Sequence, residues 1–220
     1  GKTYNLLKKY RIFVFAFWGN GCYILNRTKA LHFPQSLYII KAPFWGFFDI
    51  FGQKGEAYAN KISSKGGLRS GGVTSEIYIY PENGNYSQRV FKMRVSSAEV
   101  ELEESVFTPL EGIDRWITPL EGSFELSHDG GPFLKMGPLD PPHFFSGGSR
   151  TLCRGKARDI NLMLKGAGGE MRIVSSKVKV SGICLVYALS DMTAVTEGAD
   201  ILVRAGDSLT VRFPGDSRLY

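Results

Sequence analysis

Six side chains of this 220-residue chain have the type and setting for polar chemistry: Glu76, Arg94, Asp114, Arg115, Asp159 and Asn161. All sit on or beside runs rich in apolar residues. An arginine in such a place can grip a carboxylate with two parallel hydrogen bonds, and Asn161 can read an amide or formyl group. In Asp159-Ile-Asn-Leu-Met163, strand alternation puts Asp159, Asn161 and Met163 on one face. Two polar groups beside a soft apolar one suit a ligand wall better than a core or a solvent face. A plainer reading stands beside this one. Asp114 and Arg115 lie on a Gly-marked turn between two strand-like runs and would stabilise it as a pair. Asp159 and Asn161 would then tie down neighbouring backbone amides.

Other chemistries lack their residues. The histidines are His32, His128 and His143, and no two share a motif. No metal is expected, with a two-His, one-carboxylate site from His128, His143 and a Glu as the alternative; His128, beside a hairpin turn, reads as a surface residue. Gly66-Gly67 and Gly71-Gly72 do not make a phosphate loop, because the surroundings are strands rather than a strand–helix unit. No G-x-S-x-G elbow is present. Glu103 and Glu104 are adjacent, so they face opposite ways on a strand. With Glu99 and Glu101 they read as a solvated acidic edge. Cys22, Cys153 and Cys184 are odd in number and widely spaced, which fits reduced, buried thiols. No cofactor is expected.

The elements that must hold these residues are strands. Expected strands include Glu76–Tyr80, a run from Arg89 to Leu102, Trp116–Leu120, Ser123–His128, Arg158–Lys165, Glu170–Val174, Val178–Ser181, Ile183–Leu189, Asp200–Arg204 and Ser208–Arg212. The 26 glycines mark the turns between them. In the run from Arg89, Phe91, Met93, Val95 and Ser97 share the more apolar face. Arg94 then points the other way, toward solvent or into a barrel lumen. A weak repeat at an offset of 68 matches Leu126, Gly130, Phe133 and Leu134 with Ala194, Gly198, Ile201 and Leu202. Two consecutive β modules would leave such a trace.

Residues 1–57 stand apart. They hold eight Lys/Arg against two acids, whereas residues 58–220 hold nineteen of each. The body has no basic excess to neutralise phosphates, so nucleic acid is not an expected partner. The first 57 residues also hold 14 of the chain's 28 aromatics. Ile12–Trp18 follows Lys8, Lys9 and Arg11 and imitates a signal peptide. It is too short to span a bilayer, and no cleavage site follows. The segment is read as an atypical, poorly ordered extension. A strand-rich element packed on the body and a membrane- or partner-facing arm are the other readings.

Ser70-Gly-Gly-Val-Thr-Ser-Glu76, Phe91–Ser97, Phe107–Arg115, Leu120-Glu-Gly122 and Asp159-Ile-Asn-Leu-Met163 together resemble the HutD/Ves family, over about residues 59–212. Two departures stand out. The family has a Trp just before the Gly-Gly pair, where this chain has Arg69-Ser70. Ser146–Thr151 lacks an expected acid–aromatic pair. The resemblance implies an all-β fold of double-stranded β-helix (cupin) barrels, two modules in one chain. The body would be residues 58–220, with modules at about 70–165 and 166–220 sharing strands. It implies a cytoplasmic protein of bacterial histidine utilisation that binds a small anionic metabolite, such as urocanate or a formylated glutamate, in a regulatory role. The expected ligand-binding set is Thr74, Glu76, Arg94, Arg115, Asp159, Asn161 and Met163. Membrane contact is not expected, and a homodimer is. Two alternatives remain: a cupin enzyme, an isomerase or hydrolase, using Glu76 as acid/base, and an interaction protein using its N-terminal arm.

Overall fold

The computed structural model describes residues 12–18, 36–42, 46–52, 56–60, 66–69, 72–100, 103–174, 178–179, 183–195 and 200–212. Cys22, His32, Ser70, Glu101 and Gly198 lie outside the described residues. Among those residues there is no helix. Alternating apolar and polar residues, β-branched side chains and frequent glycine turns give strands instead.

The chain divides into two units, residues 62–167 and residues 1–61 with 168–220. The second contains four N-terminal strands: β1 (Ile12–Trp18), β2 (Ser36–Ala42), β3 (Gly46–Gly52) and β4 (Glu56–Asn60). The 62–167 unit contains β5 (Gly66–Arg69), β6 (Gly72–Tyr80), β7 (Met93–Val100), β8 (Glu104–Val106), β9 (Ile113–Gly122), β10 (Phe124–His128), β11 (Leu134–Met136), β12 (His143–Ser146), β13 (Thr151–Arg154) and β14 (Ala157–Lys165). The remaining strands are β15 (Gly168–Val174), β16 (Val178–Lys179), β17 (Ile183–Ala188), β18 (Met192–Val195), β19 (Asp200–Val203) and β20 (Ser208–Arg212).

Each unit is made of two sheets. In the unit of residues 62–167 a six-stranded sheet runs β12-β9-β14-β7-β6-β5 and a four-stranded sheet runs β11-β10-β13-β8. In the other unit the orders are β15-β1-β17-β20-β4 and β16-β3-β2-β18-β19. Here β1 lies between β15 and β17, with Ile12 opposite both Val174 and Ala188. Strand β2 pairs with β18, and β4 with β20. The N-terminal stretch that composition sets apart is thus hydrogen-bonded, through its described strands, to the C-terminal part of the chain. Both halves of the sequence repeat are antiparallel hairpins, β10–β11 and β18–β19. Their registers differ, since Leu126 faces Leu134 whereas Ala194 faces Ile201.

The two sheets of residues 62–167 pack face to face. Ile117, Phe145 and Ala157 from the larger sheet meet Phe124, Leu126, Met136 and Cys153 from the smaller. A second cluster joins Met163 to Phe91, Leu110 and Ile113 at the other end. Full burial of such side chains contributes about 1.5–3 kcal/mol each.

Two bulges set the phase of the larger sheet. Arg158 faces Glu121, but its neighbour Asp159 faces Pro119, so β9 carries an extra residue there. Gly122 sits beside this step at φ +71°, and a Cβ there would collide with the Lys156 carbonyl oxygen. Only glycine fits such a site. The step turns Glu121 outward, where it pairs with Arg158. On β6 a second irregularity falls between Glu76 and Tyr78, keeping Glu76 opposite Ser96.

Candidate functional site

Cross-strand partners point to the same side of a sheet, so the pairing shows which residues share a face. On β14, Asp159, Asn161 and Met163 face one way. Opposite them stand Ala98, Ser96 and Arg94 of β7, and Pro119, Ile117 and Arg115 of β9. Thr74 and Glu76 of β6 stand opposite Ala98 and Ser96. His143 and Phe145 of β12 stand opposite Ile117 and Arg115. All seven expected residues, Thr74, Glu76, Arg94, Arg115, Asp159, Asn161 and Met163, therefore lie on one face of the six-stranded sheet. It is the face that meets the four-stranded sheet, since Ile117 and Phe145 pack there.

Arg94 is 5% exposed. Its Nε donates to Glu76 Oε2 at 2.9 Å and its Nη1 to Ser96 Oγ at 3.0 Å. Its guanidinium carbon lies 4.0 Å from the centre of the Tyr86 ring. Glu76 reaches Arg94 on the diagonal from Ser96, which is within range of long side chains. Arg115 is buried and lies 4.9 Å from both the Phe107 and Phe145 rings.

Asp159 and Asn161 are 3% and 6% exposed. Asp159 Oδ1 and Asn161 Oδ1 have no hydrogen-bond partner in the structure. Burial pushes the Asp159 carboxyl up to about 7, against the lowering pull of Arg115 and of the Ala98 amide. Cys153 faces it from β13, and its thiol is pushed up to about 12, first by burial and then by Asp159. Cys184 is also a buried free thiol. Both fit the reduced, buried cysteines expected from their spacing.

Three expectations change. Asp114 and Arg115 do not form a turn pair. The turn precedes them, with Gly112 at φ +68°, and both lie within β9. Consecutive strand residues face opposite ways, so Asp114 is exposed while Arg115 is buried. Met163 belongs to an apolar cluster rather than standing alone among polar groups. His128 is not a surface residue. It is half-buried, and its Nε2 lies 2.9 Å from His143 Nε2.

That histidine pair bridges the two sheets, and Phe145 packs against both rings, tilted on His128 and stacked on His143. The Thr151 hydroxyl donates to the Ser149 carbonyl at 3.2 Å, so it accepts from His128 Nδ1, 2.8 Å away. Neutral His128 then presents a bare Nε2, and His143 must donate its own Nε2–H. Burial holds both below the usual histidine range; His128 is lowered further by His143 and Arg115 and raised by Asp129. A signal for the pair exists in the sequence. Phe124-x-Leu126-x-His128 and His143-x-Phe145 both place a histidine on the apolar, inward side of its strand. No group of three or more metal-ligating side chains occurs among the described residues.

Among the described residues the protein is all-β, with paired sheets and buried polar residues on the facing side of one pair, which is consistent with the cupin-like fold expected from the sequence. The comparisons name the family. The HutD family model matches residues 68–219, and the chain belongs to that family. HutD from Pseudomonas fluorescens SBW25 superposes with a TM-score of 0.53 at 23% identity, covering 71% of this chain and 88% of that one. A conserved protein of unknown function from Pseudomonas aeruginosa PAO1 gives 0.54 at 22% identity, covering 71% and 87%. At those identities the likeness is one of fold. No curated protein matches the chain. No helix among the described residues is long and apolar enough to cross a membrane.

Proposed function

We propose that the chain is a non-enzymatic, small-molecule-binding protein with two cupin modules, which senses or buffers a metabolite of histidine degradation in the cytoplasm. The ligand is a small nitrogen-bearing carboxylate of the urocanate or formylglutamate type. It is bound on the interior face by Arg115, Asp159 and Asn161, with the Arg94–Glu76 pair and Thr74 at the rim. Membership of the HutD family supports the link to histidine utilisation. One observation carries the binding role: two fully buried side-chain oxygens, on Asp159 and Asn161, lack donors. Native interiors rarely leave such atoms unmet unless a ligand or water meets them.

The test is a thermal-shift series on the whole chain with urocanate, formylglutamate and glutamate, followed by NMR of the recovered ligand. A ligand at 100 times its Kd should add about 2.7 kcal/mol of stability, and it should be recovered unchanged. Stabilisation with turnover would make the protein an enzyme. No stabilisation by any of the three would remove the metabolite reading.

A further inference from the structure

We infer that the His128–His143 pair is an acid-released clasp on strand β12, which lets the space between the two sheets of residues 62–167 open when both rings carry an added proton. Such a device governs access to the interior face, whatever ligand that face binds.

Strand β12 is placed to come away. It spans only His143–Ser146, stands at the end of the six-stranded sheet and pairs with β9. Pro141 and Pro142 precede it, and Gly147 and Gly148 follow it. Short elements with few neighbours open locally at low cost. Its inward side chains are His143 and Phe145. Phe145 covers the interior here: it shares a cluster with Ile117 and Cys153, and its ring centre lies 4.9 Å from the Arg115 guanidinium carbon. Across the gap, His143 is tied to β10 by the 2.9 Å contact with His128.

That tie survives one added proton and not two. In the neutral pair His143 donates to His128, which leaves His143 Nδ1 as the bare nitrogen. A first proton goes there and keeps the bond. A second must go on His128 Nε2, the acceptor itself. Two N–H donors and two like charges then stand head to head. Asp129, on the turn after β10, favours the His128 cation, whereas His143 and Arg115 of β9 oppose it. From β13, Thr151 is uncharged, and the Cys153 thiol, pushed up to about 12, stays neutral. Burial holds both rings below the usual histidine range, so release falls in acid.

Cys153 reports the opening. It is buried between the sheets, and Cys184 is equally buried in the other unit, whose described residues include no histidine. The full chain is labelled with dithiodipyridine, which stays reactive toward thiols in acid, and peptide mapping resolves each cysteine. From pH 7 to pH 4.5 the Cys153 rate should rise about fivefold or more relative to Cys184, the equilibrium equivalent of one net hydrogen bond. In His128→Gln the side-chain carbonyl accepts from His143 in either charge state, so the ratio should stay flat. Asp159 titrates in both proteins, and comparing them removes its influence. A wild-type ratio that does not rise, or a rise of the same size in His128→Gln, would overturn the inference. If His128→Gln does not fold, His143→Gln takes its place, since its amide donates to neutral His128 and accepts from the cation.

Discussion

Strand β14 is buried on both sides, and its two faces carry opposite chemistry. Ile160, Leu162 and Leu164 on one side are apolar and at most 2% exposed. Asp159 and Asn161 on the other are as deeply placed yet polar, and each keeps an oxygen without a donor. Burial alone therefore does not separate scaffold from site here. Along β14 itself, unmet hydrogen-bonding capacity does. One face adds stability through packing, while the other gives some up and holds chemistry in reserve.

The comparison can be broken most directly on adjacent residues. Leu162→Ala should cost about 2–5 kcal/mol through lost transfer energy and a residual cavity, without changing ligand affinity. Asn161→Leu should do the reverse. Stability should change by less than about 1 kcal/mol, because removing an unmet carbonyl offsets imperfect packing, and binding should be lost. Urea unfolding measures the first effect and the thermal-shift series the second. If Asn161→Leu destabilises as much as Leu162→Ala, the two faces do not differ in kind.

Asp159 sharpens the same contrast. Its folded value, about 7, lies above the ordinary 3.8. The folded state therefore binds the extra proton between those limits, and stability falls as pH rises through that window. The gap corresponds to at most roughly 4 kcal/mol above pH 7. Asp159→Asn should accordingly stabilise the protein at pH 8, with the gain shrinking toward pH 4.5. Urea midpoints at the two pH values check this. A gain independent of pH would mean that Asp159 does not titrate as a buried acid.

Much of this face was legible in the sequence, because alternation is local. Asp159-x-Asn161-x-Met163 needs only a period of two, and the strand around it runs Ala157–Lys165, close to expectation. Arg94 and Ser96 followed from the same period on β7. The turn assignment of Asp114 and Arg115 failed because Gly112 ends its turn one residue before β9 begins. What could not be read were pairings set by distant chain. Ile12 faces Val174, and nothing in Ile12–Trp18 names a partner more than 150 residues away. The bulge beside Gly122 and the one after Glu76 were likewise invisible, since a one-residue step depends on the partner strand.

The histidine pair gives the smallest effect and the opposite sign. His128 and His143 are held below the usual range, so the unfolded chain takes up protons first as pH falls through about 6.5, and stability then drops. The charged groups facing His128 are Asp129, which favours its cation, and Arg115, which opposes it. Only one proton fits between the two Nε2 atoms, so protonating both rings breaks the bridge from β10 to β12. The loss should be about 1 kcal/mol, the scale of one net hydrogen bond. Asp159 gains over part of the same range, so the cleaner measurement uses Asp159→Asn as the background. There, His128→Gln should flatten the dependence of the urea midpoint on pH between 7 and 5. An unchanged slope would show that the pair stays bridged through that range and that its protonation is not coupled to folding.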